Sequence, residues 1–299
     1  MLFGSSRGSS AKPVDGESVA VSPSPPHVRR KQQQPPHHYP VANSISGGFS
    51  DVSRRYSVDR SRVLGTGVGM TVCVCTDRET GEHYAVKTID KGHRKRGAKK
   101  RDLHREVSLL RDLRDKAGEG GGSSGRREAG RCGGVVELVD LHEDAASLHF
   151  VSELCRGGEL TDLIHDRVEE GERQRAEGWT SPPCFAEDDA SAVLRQVLSA
   201  VGVLHSHDIV HRDVKPENIL FLYPEETRGP GGEDLGLTVR LSDLGTARYH
   251  HASSFEPRMS TLVGTCTFIA PEVLRRRYDR RCDHWSLGVV AYVMMVGRP

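Results

Sequence analysis

An α+β architecture, with a small antiparallel sheet ahead of a larger and mainly helical half, is predicted by three features of the 299-residue chain. Between Tyr56 and Asp90 the stretches "RVLGTG", "MTVCVCTD" and "EHYAVKTID" alternate apolar and polar residues at period two and are broken by glycines, the pattern of antiparallel strands joined by turns. "DLHREVSLLRDLR", Asp102 to Arg114, sets Leu103, Val107, Leu110 and Leu113 near helical spacing. Beyond Gly158 the apolar residues of "ELTDLIHDRV" and "EDDASAVLRQVLSAVGVLHSH" recur every three or four positions, as a buried helix requires.

The remaining segments follow in order. Residues 1–55, with "SPSPPH" and "QQQPPHHYP", carry almost no apolar periodicity and read as a disordered Ser/Pro/Gln-rich tail that cannot offset its ordering entropy. After the helix, "KAGEGGGSSGRREAGRCGG" reads as a loop insertion, tolerated because closure entropy grows only logarithmically with length. "VVELVDLHED" and "SLHFVSELC" then return to strands. Glu169 to Pro183 and Pro224 to Glu233 read as further surface insertions, and "SLGVVAYVMMVG", Ser286 to Gly297, as a buried core helix. The folded domain is expected over 56–299, its sheet half over about 56–153 and its helical half over about 154–299.

A formal net charge of +1 gives no global attraction to nucleic acid or anionic membrane, so charge recognition must be local. Seven cysteines lack zinc-ligand spacing, and Cys73 and Cys75 share one strand face, so a reducing compartment is expected. No apolar run reaches the roughly 20 residues that span a bilayer. A cytoplasmic location is the expectation. The basic run His93 to Arg101 leaves a nuclear reading open, and the Ser/Arg-bearing start leaves an organelle transit peptide open.

The chemistry concentrates in "IVHRDVKPENILF", Ile209 to Phe221, and "LSDLG", Leu241 to Gly245. Asp213 is an acid able to orient a hydroxyl and take its proton, and Lys215 is a cation able to neutralise a transferring phosphoryl group. Asn218 and Asp243 supply hard oxygen donors of the kind Mg²⁺ prefers. This set resembles the catalytic loop and D-F-G motif of eukaryotic protein kinases, with Val214 and Leu244 at positions where Leu and Phe are usual. The resemblance covers Tyr56 to Pro299 and implies a bilobal kinase fold, ATP and Mg²⁺ as cofactors and protein Ser/Thr hydroxyls as acceptors.

Further motifs carry the same resemblance. "VLGTGVGMTV" is similar to the glycine-rich phosphate loop, which makes Leu64, Gly65, Thr66, Gly67, Val68, Gly69, Met70 and Val72 nucleotide-contacting residues; Met70 stands where the pattern has its third glycine. "YAVK" resembles the strand that ends in the phosphate-gripping lysine, here Lys87, with Glu106 as its helix partner and Asp102 and Glu79 as other nearby acids. "HFVSELCRGGEL" resembles the hinge, with Ser152 at the gatekeeper position, Glu153 and Cys155 offering backbone groups to adenine, and Glu159 facing the ribose. Ala85 and Leu220 complete the nucleotide-contacting set.

"TARYHHASSFEPRMSTLVGTCTFIAPEVL" resembles an activation segment. Arg212, next to the catalytic Asp213, implies a counter-charge, supplied by phosphate placed by an upstream kinase on Thr261, with Ser260 and Ser254 as other acceptors. Thr265 is similar to the threonine that contacts the catalytic acid and lysine in Ser/Thr-specific members. Asp283 and Trp285 in "CDHWSLGVV" resemble the anchor of the catalytic loop and a residue packed under the Pro-Glu motif. "GGEL", "KPENIL" and "APEVL" are most similar to the calcium/calmodulin-dependent group, which implies a basophilic preference read by Glu159 and Glu217. The sequence stops at "MMVGRP", before the helices that complete the family's large lobe, so a C-terminally incomplete domain is expected. A catalytically silent module that binds nucleotide or protein is the alternative reading.

Overall fold

In the computed structural model, residues 50–92, 98–119, 133–177, 184–227, 235–250 and 259–298 are described. Five strands build the first half: β1 (Tyr56–Gly67), β2 (Met70–Asp77), β3 (His83–Asp90), β4 (Leu138–Glu143) and β5 (Ser147–Glu153). They form one antiparallel sheet in the order β1-β2-β3-β5-β4. The period of two places Val86, Val151 and Cys75 on one face, where they bury Tyr56 and Val52. The other face carries Ile89, Leu148 and Phe150 against Leu103 and Val107 of α1 (Ala98–Glu119). The β1–β2 turn is only Val68 and Gly69, and Gly69 takes a φ of +69°, which glycine adopts without strain.

The helical half contains α2 (Leu160–Ala176), α3 (Glu187–Ser206), the two-residue β6 (Ile209–Val210), β7 (Ile219–Phe221), β8 (Val239–Leu241), β9 (Arg248–Tyr249), α4 (Pro271–Leu274) and α5 (Arg281–Val296). Val193, Val197, Val201 and Leu204 of α3 meet Val290, Val293 and Met294 of α5 in a fully apolar core. β7 pairs with β8 and β6 with β9, so the loops leaving β6 and β8 emerge side by side. Those loops hold Asp213 and Asp243. Between the halves the chain passes so close to β7 that a Cβ on Gly157 would sit 2.1 Å from the Tyr223 carbonyl oxygen, a contact only glycine permits.

Four sequence expectations are corrected. Residues 50–55, assigned to the tail, pack on the sheet: Val52 is buried, and Arg55 pairs with Asp77 at 3.0 Å and Asp140 at 3.3 Å. Their few apolar residues hide the anchor. Positions 169–176, read as an insertion, continue α2, because Glu, Arg and Gln are good helix formers and Glu170 binds both Arg173 (2.7 Å) and Gln174 (3.0 Å). The helix 286–297 is buried along one face only, with Tyr292, Met295 and Val296 exposed. Trp285 is likewise exposed, and it is Ser286 Oγ that donates to the Phe268 carbonyl oxygen at 2.8 Å. Residues 1–49, Ser254, His93 to Gly97 and most of the 116–134 insertion lie outside the described residues. No helix among the described residues is long and apolar enough to cross a membrane.

Candidate active site

β3 alternates Ala85 and Lys87 toward the cleft with Val86 toward the opposite face, where it is fully buried. Lys87 Nζ lies 2.9 Å from Glu106 Oε1 on α1 and 3.0 Å from Asp243 Oδ1. Asp102 instead pairs with Arg105, one turn along α1, which leaves Glu106 as the partner of the lysine. Burial alone would lower the Lys87 pKa, but the Glu106 and Asp243 carboxylates outweigh it and raise it. The reciprocal holds for Asp243: burial pushes its carboxyl up, and Lys87 more than reverses this. The site therefore holds a fixed cation beside a fixed anion.

Asp213 sits after Arg212, whose φ of +68° is left-handed, as is the +61° of Asp243. Such non-glycine conformations cost on the order of 1–3 kcal/mol and persist only where the surroundings impose them. For Arg212 the imposing group is Asp283, completely buried on α5. Its Oδ1 accepts from the Arg212 amide at 2.7 Å, and its Oδ2 accepts from the His211 amide at 3.0 Å and lies 2.8 Å from His205 Nε2. Thr246 secures the loop from the other side, donating to the His211 carbonyl oxygen at 2.9 Å.

The Asp213 carboxylate is oriented by Thr265, whose amide and hydroxyl both reach Oδ1 at 2.9 Å. Lys215 Nζ donates to the same Thr265 hydroxyl at 3.0 Å and lies 3.5 Å from Asp213 Oδ2. Asn218 Nδ2 donates to the Asp213 carbonyl oxygen at 2.7 Å, which leaves the Asn218 side-chain oxygen as an available ligand. Together with Asp243 this makes a two-oxygen protein set. Among the described residues no three His, Cys, Asp or Glu side chains converge as a metal cage. The pair Asn218 and Asp243 fits a hard divalent cation that completes its shell with phosphate and water oxygens.

Above these residues opens a cleft of about 590 Å³, within the size range of nucleotide-sized ligands. It is lined by Leu64, Gly65, Thr66, Met70, Val72, Ala85, Lys87, Glu106, Ser152, Glu153, Cys155, Glu159, Asn218, Leu220 and Asp243, all anticipated from sequence. Gly67, Val68 and Gly69 do not line it; they form the hairpin tip, with Val68 turned out to solvent. Asp213 and Lys215 stand beside the cleft at Thr265. Sequence reasoning missed the apolar liners Leu110, Val135, Leu138, Phe150, Leu241 and Leu244. The Glu153 amide is used on the Glu137 carbonyl oxygen at 3.1 Å and its carboxylate on Arg240 at 3.1 Å, whereas the Cys155 backbone makes no hydrogen bond among the described residues and is free for a ligand edge.

A lysine–glutamate pair, an acid held by a Lys–Thr couple and an Asn–Asp oxygen pair around one cleft invite comparison with known proteins. The protein kinase domain family matches residues 127–299. The chain belongs to the protein kinase family. It is 33% identical over 251 residues to calcium-dependent protein kinase 7 of Arabidopsis thaliana, covering 83% of this chain and 38% of that protein. It is 34% identical over 238 residues to calcium-dependent protein kinase 4 of Plasmodium berghei, covering 80% of this chain and 37% of that protein. With calcium/calmodulin-dependent protein kinase type 1 of Caenorhabditis elegans it shares 33% identity over 256 residues, 85% of this chain and 60% of that protein. The chain thus spans little more than a third of the calcium-dependent relatives it matches.

One wall of the cleft is built from small side chains. Ser152 pairs with Ala85 across β3 and β5, and the cavity continues past these two small residues to Leu110, Leu138 and Phe150. Purine-based inhibitors carrying a bulky aromatic group are expected to occupy that extension. Ser152→Met should weaken them by about 10- to 100-fold, the equivalent of 1–3 kcal/mol of overpacking. Inhibition constants for both forms measure this, and equal values would place the extension elsewhere.

Proposed function

We propose that this protein is an ATP-dependent protein serine/threonine kinase that moves the γ-phosphoryl group of ATP to Ser or Thr hydroxyls of protein substrates. The observation that carries the reading is the convergence of Lys87, Glu106 and Asp243 within hydrogen-bond reach, with Asp213 and Asn218 linked at 2.7 Å on the adjoining loop. In the reaction the bond between the γ-phosphorus and the ADP oxygen breaks, and one from the acceptor oxygen forms. The hydroxyl proton passes to Asp213, whose Oδ2 is left facing Lys215 while Oδ1 is held by Thr265. Lys87 binds the leading phosphates, Lys215 offsets charge on the moving group, and the hinge backbone at Cys155 receives the base. Mg²⁺ at Asn218 and Asp243 would supply charge neutralisation on the phosphates.

A basophilic preference is supported by a group of acids at the cleft mouth. Burial, then the charges of Asp162 and Glu217, raise the Glu159 pKa, so an incoming guanidinium would relieve a strained set of carboxylates. Glu217→Arg is expected to remove the preference for arginine upstream of the acceptor, by about tenfold or more in kcat/KM. Peptide pairs with and without that arginine measure it, and an unchanged ratio would count against the assignment.

Activation through Thr261 is supported by Arg212, whose side chain is buried without a carboxylate partner among the described residues and instead donates to the Thr246 carbonyl oxygen and the Tyr278 hydroxyl. Tyr278 in turn donates to the Thr261 carbonyl oxygen at 2.7 Å. The decisive test of the function is Mg·ATP-dependent phosphorylation of an Arg-containing Ser peptide by the full chain, compared with Asp213→Asn. Nucleotide binding without transfer in both would favour the silent-module reading.

A further inference from the structure

The segment that joins α4 to α5, together with the first residue of α5, reads "RRRYDRR" from Arg275 to Arg281 and holds five arginines and a single acid. All five arginines are exposed. Asp279 is committed to Arg281 at 2.8 Å. Arg275, Arg276, Arg277 and Arg280 form no ion pair or side-chain hydrogen bond among the described residues, and neighbouring Glu272 pairs with none of them. Arg276 is presented from a left-handed backbone with φ of +55°. On a chain whose net charge is only +1, this is a concentrated local field. Four like charges so close repel one another, a cost that an anionic partner converts into affinity.

Its position narrows the partner. Tyr278, at the centre of the segment, exchanges backbone hydrogen bonds with Met259 at 2.9 and 3.1 Å. Its hydroxyl reaches the Thr261 carbonyl oxygen and accepts from Arg212, the neighbour of Asp213. Tyr278 therefore ties the arginine segment to the catalytic loop at Arg212 and to the chain at Thr261, beside the acceptor side of the active site. Leu274, 62% exposed, adds an apolar contact beside them. Guanidinium forks without a lysine among them suit paired carboxylate or phosphate oxygens. We infer that this surface docks an acidic protein segment, carrying Asp, Glu or phosphorylated residues, that belongs to the substrate. Resting on the kinase reading, it makes the preferred substrate two-signed, with basic residues on one side of the acceptor and acidic residues on the other.

Binding, read separately from turnover, tests it. Fluorescence anisotropy of the full chain would compare a basic-Ser-acidic peptide with the same peptide whose Asp and Glu are replaced by Asn and Gln. The acidic block should tighten binding about tenfold or more, with the advantage falling as salt is added. It should vanish in R275Q/R277Q/R280Q, and halve or better in R275Q/R277Q should the triple variant melt early. Equal affinity for the two peptides, or an advantage that survives the substitutions, overturns the inference. So does tighter binding of a charge-matched oligonucleotide or phosphatidylserine vesicle through the same arginines. A peptide that docks with this preference but is never phosphorylated would sink the catalytic reading and leave the docking surface standing.

Discussion

Asp213→Asn is expected to lower kcat for a Ser peptide by about 10²- to 10⁴-fold, the range that a positioned general base contributes. The substitution is nearly isosteric. The amide oxygen can still accept from the Thr265 amide now 2.9 Å from Oδ1, so the loop keeps its shape. What disappears is the capacity to take the hydroxyl proton and the negative charge that draws Lys215 to within 3.5 Å. Because Asp213 does not line the nucleotide cleft, KM for ATP should hold within a few-fold while kcat falls. Steady-state kinetics over both substrates read this split. A variant that loses ATP affinity in step with turnover would show that Asp213 supports the cleft instead of acting on the acceptor.

The polar machinery was legible because each role needs a particular functional group: an amine at 87, carboxylates at 106, 213 and 243, an amide at 218. The resemblance to kinase motifs then assigned each group its position, and the structure brings the lysine to both acids within 3.0 Å. The apolar walls were not legible. Val135, Leu241 and Leu244 carry nothing in their chemistry that separates a cavity liner from a core residue, and Leu241 and Val135 are in fact buried in the same cluster as α3. Local polarity misled in the other direction at 169–176, where a charged stretch reads as a loop until its Glu170 pairings place it on a helix. The glycines of the β1–β2 hairpin illustrate a third limit. Their motif marks a phosphate loop, yet the tip residues 67–69 stand outside the cleft, since a two-residue turn points its tip away from the strands that line the cavity.

The largest expected change in stability belongs to Asp283, a residue that touches no substrate. Its carboxylate is fully buried and satisfies the His211 and Arg212 amides and His205 together. Asp283→Ala should destabilise the fold by about 3–5 kcal/mol, as expected when one partner of a buried charged network is removed and donors are left without acceptors. It should also release Arg212 from its left-handed conformation, loosening Asp213, so activity at a temperature where the variant remains folded should fall as well. The pH dependence separates this account from simple cavity formation. Burial alone would raise the Asp283 pKa, but the His205 hydrogen bond, the His211 charge and the two backbone amides reverse it, and the net shift is downward. A depressed folded-state pKa contributes stability that is present above the unfolded value of about 3.9 and is lost as pH falls through the folded value. The wild-type chain should therefore lose stability along an acid limb below about pH 4 that is shallower in Asp283→Ala, because the variant has no carboxylate there to protonate. Urea midpoints measured across that limb decide the matter: parallel slopes would mean that the anchoring comes from packing alone, and that the charge on α5 does not hold the catalytic loop.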